Sequence, residues 1–277
     1  MKDSPIHSAR RPAAGVLLIS LATALLAFLP TMLWNNGRIL LRGDFLTQQI
    51  PFMLESKRCL LSGTPFWSWN TFLGANFVGS YSFYVYGSPF FWPLLLVPEK
   101  WFTVGVTVMF LLKHVVAALG GYLYLARYVR NRWYAVLGAL LYAFSFFTIN
   151  SSFYYHFLDV IALFPFLLVS LDRVLERKPF AGPIFILCTF LLALTNYYFF
   201  IGISFFFLFY LFFRRKEGGP NKPSFFLGVI LRYGCGALLA SFVLLPSALT
   251  LLETSKASEA FGGGRPCTER SFLCRNY

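Results

Sequence analysis

The chain has 277 residues, of which 57% are apolar, 20% aromatic and only 13% charged. Apolar runs of about 17 to 25 residues recur along it, which is the length that a helix needs to cross a bilayer. The runs are continuous and do not alternate, which argues against a β-barrel. The net charge of +13 falls in short clusters between the runs, which is a topology signal and does not indicate nucleic-acid binding. The composition therefore predicts an all-α polytopic membrane protein.

Seven transmembrane helices are predicted from the positions of these runs. Arg10 and Arg11 precede the first run, and no small-residue cleavage site follows it, so it is interpreted as a retained anchor. The proline-rich apolar stretch Ser88–Val97 is too short to cross, and we expect it to be interfacial or re-entrant. The predicted spans are residues 13–34, 102–126, 133–149, 157–175, 181–195, 198–213 and 225–251.

Domain organisation and orientation follow from the same pattern. We expect one transmembrane domain over residues 1–255 and a polar tail over residues 256–277, interpreted as a truncated or out-of-frame end. Thirteen Lys and Arg residues fall in the predicted inner segments, against five in the outer segments before the tail. This asymmetry predicts a multi-pass protein of the cell membrane with a cytoplasmic N-terminus and a long, extracytoplasmic first loop.

Asp44, in the first long loop, is the leading candidate for a catalytic residue. If residues 44–61 are helical, one face is polar and carries Asp44, Thr47, Gln48, Pro51 and Glu55. The opposite apolar face predicts an amphipathic helix on the outer surface, with a kink at the proline. The carboxylate could accept a proton from an acceptor hydroxyl, or help to hold a divalent cation beside a phosphate. The alternative is that Asp44 is only a helix N-cap.

Three further titratable residues lie within or beside predicted spans. Lys113 is near the middle of the second span, where a charge is costly and usually faces the protein interior. It could contact a lipid phosphate or pair with a carboxylate, and a purely structural ion pair is the alternative. His156 and Asp159 share a face at the outer start of the fourth span, either as site residues or as an interfacial histidine with a capping aspartate. Two ligands at this spacing do not make a metal site.

Other candidates carry a weaker signal. Asn196 and Tyr197 lie at a predicted outer turn, and Trp67 and Trp69 could stack on sugars or belong to an interfacial aromatic belt. Arg42 could attract an anionic lipid head group or be a solvated surface charge, and the same alternatives apply to Arg38, Lys57 and Arg58. No metal-ligand spacing and no nucleotide-binding motif is found.

The order and spacing of several short motifs resemble the opening of the YfhO-type bacterial membrane proteins. The resemblance runs from about residue 15 to residue 255. Its motifs are Gly43–Phe52, Trp69-Asn70, Leu73-Gly74, Tyr84–Pro93, Lys113, His156–Asp159, Phe164-Pro165, Asn196–Tyr198 and Leu244–Pro246.

The resemblance implies a multi-spanning glycosyltransferase of the GT-C architecture. Such enzymes take a sugar from a polyprenyl-phosphate carrier and act at the outer face of the bacterial membrane, in this family on cell-envelope polymers such as teichoic acids. An acidic residue of the first outer loop is the base, which maps onto Asp44. The resemblance adds substrate-binding roles for Arg42, Gln48, Lys113, His156, Asp159, Asn196 and Tyr197, and a divalent cation is a cofactor that the sequence neither requires nor excludes.

Two other functions fit the sequence. A transporter or flippase of lipid-linked glycans would have Lys113 and Asp159 along its path, but it should also show repeated halves and broken helices. No repeat is evident, and the polar residues are concentrated in an outer loop, which favours the enzyme. A non-catalytic membrane fragment is the third hypothesis, based on the polar tail.

Overall fold

The structure is a computed structural model that describes residues 5–39, 43–71, 74–81, 84–216 and 223–253. The described residues are mostly helical, with one antiparallel hairpin whose two strands have two residues each. The chain is an all-α polytopic membrane protein, as the composition predicts. The predicted polar tail lies outside the described residues, and so does the candidate residue Arg42.

The elements follow one another in this order. The first half contains α1 (Pro5–Trp34), a π-helix (Phe45–Gln49), α2 (Ile50–Leu61), β1 (Trp67–Ser68), β2 (Ala75–Asn76), α3 (Phe77–Tyr81), two 3-10 turns (Trp92–Leu96 and Glu99–Trp101) and α4 (Phe102–Leu125). The second half contains α5 (Arg132–Ala143), α6 (Phe146–Asn150), a 3-10 turn (Ser151–Phe153), α7 (Phe157–Leu175), α8 (Ala181–Thr195), α9 (Tyr197–Lys216), α10 (Pro223–Leu239) and α11 (Ser241–Glu253).

All seven predicted segments are helical, but two of them are built from two helices each. The third is divided between α5 and α6, where the Ser145 side chain accepts a hydrogen bond from the Thr148 N–H and starts a new helix. The seventh is bent by 66° between α10 and α11. Among the described residues, four helical segments are long and apolar enough to cross a membrane, and the bent pair would make a fifth if it crosses as one span.

Two adjacent glycines of α4 lie where neighbouring helices pack against it. A Cβ atom at Gly120 would lie 2.8 Å from the Phe166 ring of α7, and one at Gly121 would lie 3.5 Å from the Ala139 Cα of α5. Such glycines let helices approach closely in a bilayer, where there is no hydrophobic drive to bring helices together. They therefore set the position of α7 beside α4, which brings Asp159 close to Lys113.

The buried apolar residues form two clusters that share α7. One cluster joins α7 to α1, α4 and α5, and the other joins it to α8, α9 and α10. Because α7 is packed on both sides, it can carry charged groups at its two ends that are sealed from lipid. Asp159 lies in its first turn and Asp172 near its last turn, with 1% and 0% exposure.

Candidate functional site

Asp44 lies directly before the π-helix of the first loop. It occupies the N-cap position of that helix, but its half-buried side chain makes no capping hydrogen bond. The side chain of Gln48 donates a hydrogen bond of 3.3 Å to the Asp44 carboxylate. Of the predicted polar face, Thr47, Gln48 and Pro51 are exposed, and Asp44 and Glu55 are half-buried. The carboxylate is thus left free of any helix-capping task.

The predicted apolar face is only partly correct. Ile50 and Met53 are buried, but Leu46 and Leu61 are 48% and 70% exposed. The first turns are π-helical, and Pro51, which has no N–H to donate, stands where the π-helix passes into α2. A π-turn changes the register of the side chains that follow it, so an ideal α-helical projection from Asp44 places some of them incorrectly.

Gln49 anchors this segment to the residues that precede α7. Its side chain is buried, donates to the Phe153 carbonyl at 3.2 Å and accepts from the His156 N–H at 3.3 Å. Beside it, the Phe45 ring stacks on Tyr155 with 5.1 Å between centroids. Sequence analysis missed Gln49. Its only signal was its position next to Gln48, because adjacent residues of a helix point in different directions and one of the two glutamines has to face away from the polar side.

Lys113 and Asp159 form a buried ion pair beneath that segment. The Lys113 ammonium nitrogen lies 2.6 Å from an Asp159 carboxylate oxygen, and the two side chains are 0% and 1% exposed. Lys113 also donates to the Tyr155 carbonyl at 2.9 Å and lies 3.1 Å from the centroid of the Tyr155 ring. The pair therefore fixes Tyr155, on which Phe45 stacks.

Tyr84 connects three of the candidate residues. Its ring meets the His156 imidazole edge to face, with 4.6 Å between centroids. Burial raises the pKa of the Tyr84 phenol, and its electrostatic interactions with Tyr197 and Asp44 raise it further. Tyr84 thus contacts His156 and interacts electrostatically with Asp44 and Tyr197. Sequence analysis missed this tyrosine because it lies in an aromatic segment whose members look alike.

His156 is held as a neutral imidazole. Burial lowers the pKa of its ring to about 3, and the Lys113 charge lowers it further in the same direction. A ring in that state can accept or donate a hydrogen bond but does not supply a cation at neutral pH. His156 therefore belongs to the polar lining of the site and not to its positive charges.

The turn between α8 and α9 closes the other side of the site. Asn196 is buried and accepts a hydrogen bond from the Phe199 N–H at 3.2 Å, so it caps α9. The Thr195 hydroxyl donates to the Gly87 carbonyl at 3.1 Å. A Cβ atom at Gly87 would lie 2.0 Å from the Leu194 carbonyl oxygen. This close approach brings the segment of Tyr84 against the turn that carries Tyr197.

The basic residues of α2 have structural partners. Lys57 is buried and donates to the carbonyls of Leu94 and Val97. Arg58 pairs with Glu99 through two contacts of 3.0 and 3.1 Å. Lys57 is therefore not a solvated charge, whereas Arg58 is 57% exposed and pairs with Glu99 at the surface. They tie α2 to the turns before α4.

Glu55, on the same helix, holds the hairpin loop. It accepts hydrogen bonds from the Ser68 hydroxyl at 2.7 Å and the Asn70 amide at 3.0 Å. Trp67 and Trp69 are exposed above it and contact each other edge to face, with 5.5 Å between centroids. The carboxylate of Glu55 is thus committed to the loop, unlike that of Asp44.

A second polar cluster, which sequence analysis missed, surrounds Asp172 at the opposite end of α7. The Tyr210 hydroxyl donates to its carboxylate at 2.9 Å, and Tyr128 donates to it as well. Arg127 and Arg214 approach the same carboxylate at 3.5 and 3.6 Å. The cluster joins α7 to α9 and to the end of α4. Its members are far apart in sequence, and each resembles an ordinary membrane-flanking residue.

Comparisons with known proteins give one match. The family model described as bacterial membrane protein YfhO matches residues 15–263, which is most of the chain. Comparison with curated proteins and with solved structures finds no match. Within the described residues, no group of three or more His, Cys, Asp or Glu side chains could hold a metal ion.

Proposed function

Since the chain belongs to the YfhO family of bacterial membrane proteins, we propose that it is a membrane glycosyltransferase. It transfers a sugar from a polyprenyl-phosphate carrier to a hydroxyl group of a cell-envelope polymer, such as a teichoic acid. The reaction takes place at the outer face of the cell membrane, with the N-terminus in the cytoplasm and the first loop outside. The architecture is GT-C-like, over residues 1–255.

The observation that carries the proposal is the state of the Asp44 carboxylate. It is half-buried, makes no helix-capping bond and interacts electrostatically with the Tyr84 phenol. By contrast, Glu55, the other carboxylate of this segment, is used by Ser68 and Asn70. A general base must be held rigidly and still be reachable by the proton that it removes. The hydrogen bond from Gln48 and the partial exposure of Asp44 support this role.

The proposed reaction is a displacement at the anomeric carbon. The acceptor oxygen forms a bond to that carbon, and its proton passes to the Asp44 carboxylate. The bond from the anomeric carbon to the phosphate oxygen breaks, and the electron pair leaves with the polyprenyl phosphate. The sugar is already activated by its phosphate, so the protein has to remove a proton and stabilise the leaving anion.

The other residues bind or position in this proposal. Gln48 orients the Asp44 carboxylate through its hydrogen bond. Tyr84, Tyr197 and the neutral His156 provide hydrogen-bonding groups around the acceptor. Arg42, two positions before Asp44 in the sequence, contacts the phosphate.

Lys113 and Asp159 are assigned a supporting role because both charged groups are sealed from solvent. They hold Tyr155, and through it Phe45 and the segment of Asp44. Asn196 also supports the site, as the cap of α9. None of these three side chains needs to touch the substrate for the site to form.

The test is transfer of labelled sugar from polyprenyl-phosphate donors in bacterial membranes that contain the protein. Asp44→Asn should lower the rate by roughly 10² to 10⁴, with normal insertion and amount of protein. Glu55→Gln is the matched control, since it removes the neighbouring carboxylate, and it should leave the chemical step nearly intact. Wild-type transfer by Asp44→Asn would rule out Asp44 as the base.

Chelation separates the two roles considered for Asp44. If Asp44 is a base without a metal, transfer should persist in EDTA at its usual rate. If Asp44 instead helps to hold a divalent cation beside the phosphate, EDTA should abolish transfer and an added cation should restore it.

One observation favours the transporter as a second candidate. α10 and α11 are bent by 66° around Ala240, and broken helices occur at the substrate sites of transporters. The described polar groups nearest to the outer loop, however, belong to α4, α7 and the π-helix and not to this break. Absence of transfer with every donor, together with passage of a labelled lipid-linked glycan across proteoliposomes, would favour the transporter.

A further inference from the structure

A cavity of about 540 Å³ lies at the end of α7 that is remote from Asp44. It is lined by the residues that end α7, by the first turn of α8 and by α10. From Asp159 to Val174, which lines the cavity, α7 runs roughly fifteen residues or about 22 Å. This is most of the hydrocarbon thickness of a bilayer, so the cavity is separate from the candidate active site.

Three cationic side chains line the cavity. They are Arg177, Lys178 and Arg232, and no Asp or Glu among the described residues lines it with them. The two nearby carboxylates, at the end of α7 and directly after it, interact with other cations. Asp172 faces Arg127 and Arg214, and Glu176 pairs with Arg127. The positive charge of the cavity is therefore not neutralised by the described part of the protein.

Local contacts hold two of these cations over the cavity. The Arg177 guanidinium lies 5.2 Å from the centroid of the Phe225 ring. Arg232 donates one hydrogen bond to the Gly228 carbonyl at 2.8 Å, which leaves its remaining N–H groups for another acceptor. A Cβ atom at Gly182 would lie 3.0 Å from the Arg232 Nε, so the glycine makes room for the guanidinium. The positive end of the α8 dipole adds to the field of these cations.

The surface beside the cavity is apolar. Leu227, Ile230 and Leu231 of α10 are 56%, 42% and 63% exposed and lie next to the cavity-lining Gly228 and Arg232 in sequence. A ligand with a phosphate in the cavity could therefore lay hydrocarbon chains along α10. A free phosphate ion would use only the cations.

We propose that this cavity binds the phosphate group of an anionic membrane lipid. The guanidinium groups of Arg177 and Arg232 suit phosphate oxygens because they offer paired N–H donors, and Lys178 adds a point charge. The lipid chains then cover the apolar residues of α10. The site lies at the end of the bundle opposite to Asp44 and is independent of the transfer reaction proposed above.

The test is equilibrium binding of fluorescent phosphatidylglycerol to the whole chain in detergent micelles. The Arg177→Gln and Arg232→Gln variants should each weaken binding about fivefold, which is the effect expected for one cation near an anionic lipid. Arg130→Gln is the matched control, because Arg130 is an exposed cation between α4 and α5 that does not line the cavity. It should leave binding unchanged.

Several results would overturn the proposal. One is an equal loss of binding in Arg130→Gln, which would show a diffuse attraction and no site. Another is equal affinity of the unaltered protein for phosphatidylglycerol and phosphatidylcholine, a comparison that depends on no variant. A third is displacement of the labelled lipid by inorganic phosphate at the concentration at which unlabelled phosphatidylglycerol displaces it, which would assign the cavity to the free ion.

Discussion

The Lys113 ammonium nitrogen of α4 lies 2.6 Å from an Asp159 carboxylate oxygen of α7, with both side chains buried. Two opposite charges at that depth stabilise each other only as a pair, because each one alone would carry the full cost of its desolvation. The same lysine donates to Tyr155, whose ring stacks on Phe45 beside Asp44. The pair thus connects the packing of the helices with the geometry of the first long loop.

Removing one member of this pair should destabilise the protein strongly. Lys113→Met or Asp159→Asn is expected to cost about 3 to 5 kcal/mol of unfolding free energy, since each leaves a buried charge without its partner. Thermal unfolding in detergent measures this. The double variant Lys113→Met with Asp159→Leu should recover much of the loss.

The exposed pair of Arg58 and Glu99 is the matched control for that experiment. Both side chains are at least half exposed, so solvent and salt screen their attraction. Arg58→Gln should therefore change the unfolding temperature little. If Lys113→Met had an equally small effect, the buried pair would not contribute to stability as described.

Gly87→Ala should be among the most disruptive small substitutions outside the helices. The added Cβ would lie 2.0 Å from the Leu194 carbonyl oxygen, which is backbone and cannot move away cheaply. We expect a loss of roughly 1 to 3 kcal/mol or more, together with reduced transfer, because the segment of Tyr84 is pushed off the turn of Tyr197.

Gly202→Ala serves as the comparison for Gly87→Ala. Gly202 lies in α9 with no atom within 4 Å of the new Cβ, so alanine should stabilise the helix by up to about 1 kcal/mol. Equal behaviour of the two variants in thermal unfolding would contradict the close packing at Gly87.

Tyr84→Phe should lower the transfer rate and leave the fold intact. The substitution removes only the hydroxyl, which interacts electrostatically with Asp44 and Tyr197, and keeps the ring that contacts His156. A loss of about tenfold is expected for one hydrogen-bonding group that acts in the transition state. Sugar transfer in membranes measures it.

Tyr86→Phe is the control for that substitution. Tyr86 belongs to the same segment, but its hydroxyl donates to the Pro65 carbonyl, in the segment before β1. It should leave the transfer rate close to the wild-type value. If Tyr86→Phe lost more of the transfer rate than Tyr84→Phe, the assignment of Tyr84 to the candidate site would be wrong.

His156 should make the protein less stable as the pH falls. Its folded pKa is lowered to about 3 by burial and by Lys113, against an ordinary value of 6.5. Between those values the unfolded state binds a proton that the folded state does not, so stability decreases with falling pH, by at most about 1.4 kcal/mol per pH unit. Below about pH 3 both states are protonated and the effect ends.

The measurement is the unfolding temperature between pH 7.5 and 5.5, where few carboxylates titrate. The His156→Gln variant should show a smaller decrease over this range than the wild type, because glutamine fills a similar space without titrating. Identical slopes for the two proteins would contradict a buried, neutral His156.

The sequence by itself determined the class of the protein and the location of its helices. Long apolar runs cannot satisfy their backbone hydrogen bonds in a bilayer unless they are helical, and all seven predicted segments are helical. The exposure of Thr47, Gln48 and Pro51 followed from helical periodicity, since that pattern depends only on nearby residues. The family resemblance was confirmed over residues 15–263.

Only the tertiary structure decided which of these residues meet. Lys113 and Asp159 each looked unusual in the sequence, but their pairing depends on the close packing of α4 and α7 at Gly120. Gln49, Tyr84 and Asp172 carried no local signal, because their partners lie far away along the chain. The π-turn at Phe45 and the bend at Ala240 were also outside the reach of periodicity, which assumes one regular helix. Helical periodicity indicates only which face of its own helix a residue occupies. A site is made by contacts between different helices.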